Sequence, residues 1–171
     1  MKNVPFVTAV ILICILSCNT IPKKSDALAE DSFKYNLSIY IDSCWNGKNL
    51  GILTRIVSDD FVRSLNGIHV VKGANELEAH INTYKKAFPN LQITTSESFM
   101  QENTIITTWT FTGTNTGEFT EFDATGKKTK VSGVSIIQFN DDGKMIREET
   151  YYNELYLLQQ LGYGLEPPNM E

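Results

Sequence analysis

The sequence predicts an α+β fold in which a curved, mostly antiparallel sheet wraps around N-terminal helices. Three observations carry this. Apolar residues recur at helical spacing from Phe33 to Phe88. After Pro89 the pattern changes to runs rich in β-branched and aromatic residues. Turn formers such as Asn140-Asp141-Asp142-Gly143 divide those runs. A sheet bent around helices leaves a cone-shaped cavity, the default place for a small-molecule ligand.

The elements follow in order. Phe33, Leu37, Tyr40, Ile41 and Cys44 lie on one helical face, with Trp45 alongside, and Asn46-Gly47 ends that helix. A short helical run is expected over about 50–57, after which Asp59-Asp60 leads into Phe61-Val62. The third helix covers about 74–88, with Leu77, Ile81, Tyr84 and Phe88 as its buried stripe and Pro89 as its stop. Strands are expected over 91–99, 104–112, 131–139 and 145–152, with a shorter one over 117–122. A final helix, about 155–161, ends at Gly162, which suits a C-cap. One domain over 31–163 and an extended tail over 164–171 are the result, with no internal repeat.

The N-terminus reads differently. Residues 4–16 are nearly all apolar and follow Lys2. The run is too short to span a bilayer and has the layout of a secretory signal peptide. Ile15-Leu16-Ser17-Cys18 resembles a bacterial lipobox. That resemblance implies removal of 1–17, lipidation of Cys18 and a tether through residue 30, hence a membrane-anchored lipoprotein of the cell envelope. Of the three cysteines, Cys14 leaves with the signal, Cys18 carries lipid and Cys44 is a small core residue. No disulfide framework remains.

Composition and motifs exclude other classes. With 15 Lys+Arg against 20 Asp+Glu, the net charge of −5 argues against a nucleic-acid partner. His69 and His80 are the only histidines and lack a nearby Cys or carboxylate cluster, so no metal is expected. His69 is expected in a surface loop and His80 on a helix surface. No Gly-x-Ser-x-Gly elbow and no phosphate-cradling glycine loop occurs.

Two segments carry a family resemblance. Gly113-Thr114-Asn115-Thr116-Gly117-Glu118-Phe119 is followed by Ala124-Thr125-Gly126-Lys127. Gly143-Lys144-Met145-Ile146-Arg147-Glu148-Glu149 is followed by Asn153 and by Leu157-Leu158-Gln159-Gln160-Leu161-Gly162. With Asp59-Asp60-Phe61-Val62, Gly73 and Ala87-Phe88-Pro89 upstream, they closely resemble the SnoaL-like polyketide cyclases, or ester cyclases, over about 33–162. The resemblance implies a nuclear-transport-factor-2-like cone and dimerisation through its sheet. It also implies ring closure without metal or cofactor, by a carboxylate acting as acid and base on a carbon acid. Such a carboxylate needs a dry setting that raises its pKa.

Three positions depart from the family pattern. Asn153 stands at the usual acid, Asn115 at the histidine of Gly-Thr-His-Thr-Gly, and about Ser64 at an upstream histidine. Asparagine hydrogen-bonds but does not accept a proton. Glu149 stands four residues before Asn153, where the family carries an aromatic. Strand alternation places Arg147, Glu149, Tyr151 and Asn153 on one face. If Asn153 faces the cavity, Glu149 does too, as a relocated base or a charge recognising a polar ligand. Otherwise Glu149 pairs with Arg147 or is solvated. The opposite face is about equally apolar, so alternation leaves the orientation open. Trp109, Phe111, Tyr40, Trp45 and Tyr84 read as core that doubles as pocket wall. The expectation is therefore an exported cavity protein binding a small hydrophobic or carbonyl ligand. Its cavity residues would be Asn115, Trp109, Tyr151, Ser64 and Tyr40, with Glu149 and Asn153 as catalytic candidates. The alternative is a cofactor-independent cyclase or isomerase.

Overall fold

The computed structural model describes residues 24–167. The apolar stretch 4–16, Cys14 and Cys18 lie outside the described residues. Helix α1 spans Lys24–Ile39, so it begins inside the stretch expected to be tether. It then runs on into a π-helical segment, Tyr40–Trp45, whose i→i+5 bonding continues to the Asn46 N–H donating to the Ile41 carbonyl at 2.8 Å. This winding explains Trp45. Residues five apart lie about 140° apart around an α-helix, yet Tyr40 and Trp45 are both buried towards the sheet. The wider π turn brings them to one side.

A 3₁₀ turn at Leu50–Ile52 and the one-turn helix α2, Leu53–Ile56, fill the short helical run. An unexpected hairpin comes next. Strand β1, Val57–Leu65, pairs antiparallel with β2, Ile68–Lys72, through Asn66-Gly67, both at positive φ (50° and 83°). Such φ values suit a two-residue hairpin turn. His69 therefore lies in a strand, opposite Ser64, and not in a loop.

Helix α3, Gly73–Ala87, buries Leu77, Ile81 and Ala87. Strands β3 (Gln92–Gln101), β4 (Thr104–Thr114), β5 (Lys128–Phe139) and β6 (Met145–Tyr152) follow. Helix α4, Glu154–Leu161, ends at Gly162 with φ 103°, as its sequence predicts.

Residues 117–122 do not form the expected strand; only a lone bridge links Phe119 and Phe122. The reason is where the backbone bonds go. The N–H groups of Thr116 and Gly117 both donate to the Ala87 carbonyl at the end of α3. A Cβ at Gly117 would sit 1.9 Å from the Lys86 carbonyl oxygen, so only glycine permits this approach.

The six strands order as β2-β1-β6-β5-β4-β3, antiparallel except for the β1·β6 pair. One face packs on α1, its π segment, α3 and α4 around a single apolar core that includes Phe61, Leu77, Ile81, Phe88, Phe139 and Leu157. Phe33 of α1 stacks on Phe139 of β5 at 4.8 Å between ring centroids. Among the described residues no helix is long and apolar enough to cross a membrane.

Candidate functional site

The cone surrounds a narrow cavity. Its walls are mostly apolar: Leu37, Ile41, Leu65, Ile93, Phe111, Val131 and Leu157 contribute, together with the aromatics Tyr40, Trp45, Tyr84, Trp109 and Tyr152. Both tryptophans of the chain line it.

Two one-residue irregularities decide which side chains face in. On β6 the register against β5 shifts between the Phe139–Met145 and Gln138–Arg147 pairs. An extra residue reverses the alternation beyond it. Met145 is buried, and after the shift Glu148 and Thr150 are buried while Arg147 and Tyr151 are exposed. On β3 the register shifts between Thr95 and Ser98.

At the centre of the cavity lies an ion pair. Arg63 of β1 and Glu148 of β6 sit directly opposite each other on the parallel pair of strands. Their side chains are only 7% and 4% exposed, and Arg63 Nη1 donates to Glu148 Oε2 at 2.5 Å. The Tyr40 hydroxyl donates to the same oxygen at 2.9 Å and accepts from Arg63 Nη1 at 2.8 Å. Thr150 and Ser135 donate to Glu148 Oε1 at 3.1 and 3.2 Å. Trp109 Nε1 donates to the Ser135 hydroxyl at 3.1 Å, tying the indole to the cluster. Four donors thus meet one carboxylate, matching the acceptor-only capacity of its ionised form. Burial, reinforced by Glu148, pushes the Tyr40 phenol well above its ordinary range, so it stays a donor.

The guanidinium is less completely satisfied. It lies 5.4 Å from the Trp45 ring centroid, a cation–π contact, and its Nε is buried without a hydrogen-bond partner. Native proteins rarely leave a buried donor unpaired. Further along the wall the Tyr84 and Tyr152 hydroxyls lie 3.3 Å apart. Burial raises both phenols, so they remain protonated. His80 packs edge-on against Trp45 and beside Tyr84, with Nε2 buried and unpartnered. It is a packed residue of α3, not the surface group its sequence setting implied. Burial, together with the nearby Arg63 charge, lowers its pKa to about 4. Among the described residues no cluster of three His, Cys, Asp or Glu side chains gathers to hold a metal.

The sequence-expected residues divide. Tyr40 and Trp109 line the cavity. Glu149 lies on the other face of β6, 3.5 Å from Arg147 Nε and accepting from the Tyr151 hydroxyl at 3.2 Å. The pairing with Arg147 is therefore the arrangement found, and Tyr151 shares that outer face at 40% exposure. Asn153 lies beyond the strand end and caps α4, its Oδ1 accepting from the Tyr156 N–H at 2.9 Å. Ser64 alternates with the inward Arg63 and Leu65, and pairs across β1·β2 with His69. Asn115 is fully buried but away from the cavity lining. It donates to the Ala87 and Gly117 carbonyls and accepts from Thr125, clamping the 115–127 loop onto α3. Asn115→Ala is expected to cost about 2 kcal/mol in urea unfolding, by orphaning these groups, and to leave ligand binding unchanged. A matching loss of binding would place Asn115 in the site instead.

Arg63 and Glu148 were missed by sequence reading, although both lie in or beside the quoted segments. The signal that places them inward is the strand pairing, which sets Arg63 opposite Glu148 and which the sequence alone does not display. Gly133 supports the site as well. It faces Trp109 across β4·β5, and a Cβ there would come within 2.4 Å of the indole and 2.6 Å of the Tyr151 carbonyl. Gly133→Ala should therefore displace Trp109, cost about 1–3 kcal/mol and red-shift tryptophan emission as the Ser135 bond breaks. An unshifted emission spectrum in the folded variant would show that the indole tolerates the methyl.

The comparisons with known proteins fit this architecture. A family model described as SnoaL-like polyketide cyclase matches residues 38–161. A SnoaL-like polyketide cyclase candidate from Jannaschia sp. CCS1 superimposes with a TM-score of 0.72 at 14% identity, covering 79% of this chain and 94% of that one. The phenazine biosynthesis-related protein PhzB2 of Pseudomonas aeruginosa gives 0.68 at 16% identity, covering 85% and 95%. AclR of Streptomyces galilaeus, titled a hydroxylase candidate, gives 0.66 at 24% identity, covering 84% and 87%. A search of curated proteins returns no match. The structural likenesses establish the fold, and the varied titles illustrate that one fold carries many chemistries.

Proposed function

Because the chain belongs to the SnoaL-like polyketide cyclase family, we propose that it binds a small, mainly apolar ligand carrying a neutral oxygen acceptor such as a carbonyl. The observation that carries this is the unpartnered Nε of Arg63, a buried donor on a mostly apolar wall. Neutrality follows from the ion pair. Arg63 and Glu148 cancel, so an anionic ligand would bury an uncompensated charge. Glu148, engaged by four donors, is held as the partner of Arg63.

This domain is exported and held at the membrane through lipidated Cys18, a reading supported by the apolar run 4–16 and Ile15-Leu16-Ser17-Cys18. Acid/base turnover of a carbonyl compound is the second reading, supported by a carboxylate and a phenol meeting inside an apolar cavity.

One experiment addresses binding and turnover together. The domain lacking residues 1–17 is titrated with short methyl ketones, following its two cavity tryptophans by fluorescence and the complex by native mass spectrometry. Saturable quenching with intact ketone retained is expected, and Arg63→Lys should weaken it about tenfold through the lost Nε donor. Chemical conversion of the ketone would favour the enzyme. Equal affinity of wild type and Arg63→Lys would overturn the role given to Nε.

A further inference from the structure

A second space adjoins the cavity. An open groove lies between α1 with its π segment and the edge strand β3, and it shares Leu37, Ile41 and Thr95 with the cavity. The two spaces therefore adjoin across those residues. On the helical side the groove follows positions recurring every three or four residues from Glu30 to Asp42, a length of about 18 Å by helical rise. Its floor is Leu37, Ile41, Met100 and Ile105, and Phe99 stands at the outer lip, 65% exposed.

The β3 irregularity shapes the strand side of this groove. An extra residue between Thr95 and Ser98 brings both onto the groove side, where an unbroken alternation would place them on opposite faces. Bulges commonly re-aim side chains beside binding sites. Groove and cavity differ in one chemical respect. The cavity contains the orphaned Arg63 Nε, whereas the groove lining contains no buried unpartnered polar side-chain atom among the described residues. The flanking charges are also partly neutralised, since Lys34 pairs with Glu30 along one rim. The groove thus lays an apolar floor between polar flanks, with Glu30, Lys34, Ser38 and Asp42 on the helix and Thr95 and Ser98 on the strand, and holds no buried polar side-chain atom in need of a partner.

We propose that the groove holds an unbranched alkyl chain belonging to the same ligand whose oxygen meets Arg63. This rests on the cavity reading above and extends it: the ligand is a long-chain amphiphile, with an oxygenated head inside and a tail laid along α1.

The test is a homologous series of n-alkyl methyl ketones, from butyl to dodecyl, titrated by tryptophan fluorescence. Affinity should rise about three- to fourfold per methylene as the tail fills the groove, the increment that burial of one CH₂ supplies. The double variant Phe99→Thr/Met100→Thr alters the groove alone, with residues that suit an edge strand. It should bind the butyl ketone like wild type and lose about tenfold or more of the gain at octyl and beyond. The wild-type series decides the question even if that variant folds poorly. Butyl binding with affinity flat thereafter would overturn the groove assignment and leave the cavity reading standing. Failure of every ketone to bind would overturn the cavity reading, and the groove assignment with it.

Discussion

Glu148→Gln is expected to destabilise the protein by about 3–5 kcal/mol, the range for removing one partner of a buried ion pair. The variant keeps the shape of the side chain and removes only its charge. Arg63, 7% exposed at its side chain, would then be a buried cation with Trp45 and neutral hydroxyls for company. Tyr40, Ser135 and Thr150 would also lose a charged acceptor for a weaker one. Urea unfolding at neutral pH reads the loss directly. The double variant Arg63→Met/Glu148→Gln should recover much of it, because the uncompensated charge is gone. The cycle of wild type, two single variants and the double should therefore show strong coupling, well beyond the few tenths seen for independent sites. Additive losses would mean that the pair does not act as a unit. Since buried pairs are often no more stabilising than apolar replacements, their retention here fits a binding role: the pair fixes a guanidinium that lines the cavity and keeps an unpartnered Nε.

The fold was more legible than the site. The first helix, the third helix and the four late strands follow from apolar period, and Pro89 and Gly162 end their helices as their backbone preferences require. The β1–β2 hairpin was missed despite Asn66-Gly67, the strongest short-range hairpin signal. Its strands are unusually polar, with Ser58, Asp59, Asp60, Arg63 and Ser64 in β1. Buried polar residues such as Ser58 and Arg63, beside the exposed pair Asp59-Asp60, erase the alternation that sequence reading depends on. The site was obscured for a related reason. Counting alternation back from Asn153 selects Glu149, but Asn153 lies beyond the strand end as a helix cap and does not mark the cavity face of β6. Counting back from Thr150, which is buried, exchanges Glu149 for Glu148, and with it the outer face for the cavity. Asn115 shows the opposite case: a position the family resemblance marks as functional serves here to hold a loop on α3.

Acidification should weaken the fold through His80, with a total effect of about 3 kcal/mol from the linkage of its pKa shift. In the native protein its pKa is lowered to about 4, first by burial against Trp45 and Tyr84 and then by the Arg63 charge. In the unfolded chain it titrates near 6.5. Between those values the unfolded state binds the proton and the native state does not, so stability rises with pH there. The contribution is therefore complete above about pH 6.5 and is lost as pH falls towards about 4. Other carboxylates also titrate in this window, so wild type alone is not decisive. Comparison with His80→Phe isolates the histidine, because the remaining groups are common to both. The stability difference between wild type and His80→Phe should shift by about 2–3 kcal/mol in favour of the variant between neutral pH and pH about 4.5. Histidine proton chemical shifts supply an independent reading: Arg63→Met should raise the His80 pKa by removing a nearby positive charge. Parallel pH–stability curves for wild type and His80→Phe would show that the ring is hydrated in solution. In that case the Trp45–His80–Tyr84 stack would not be sealed from water.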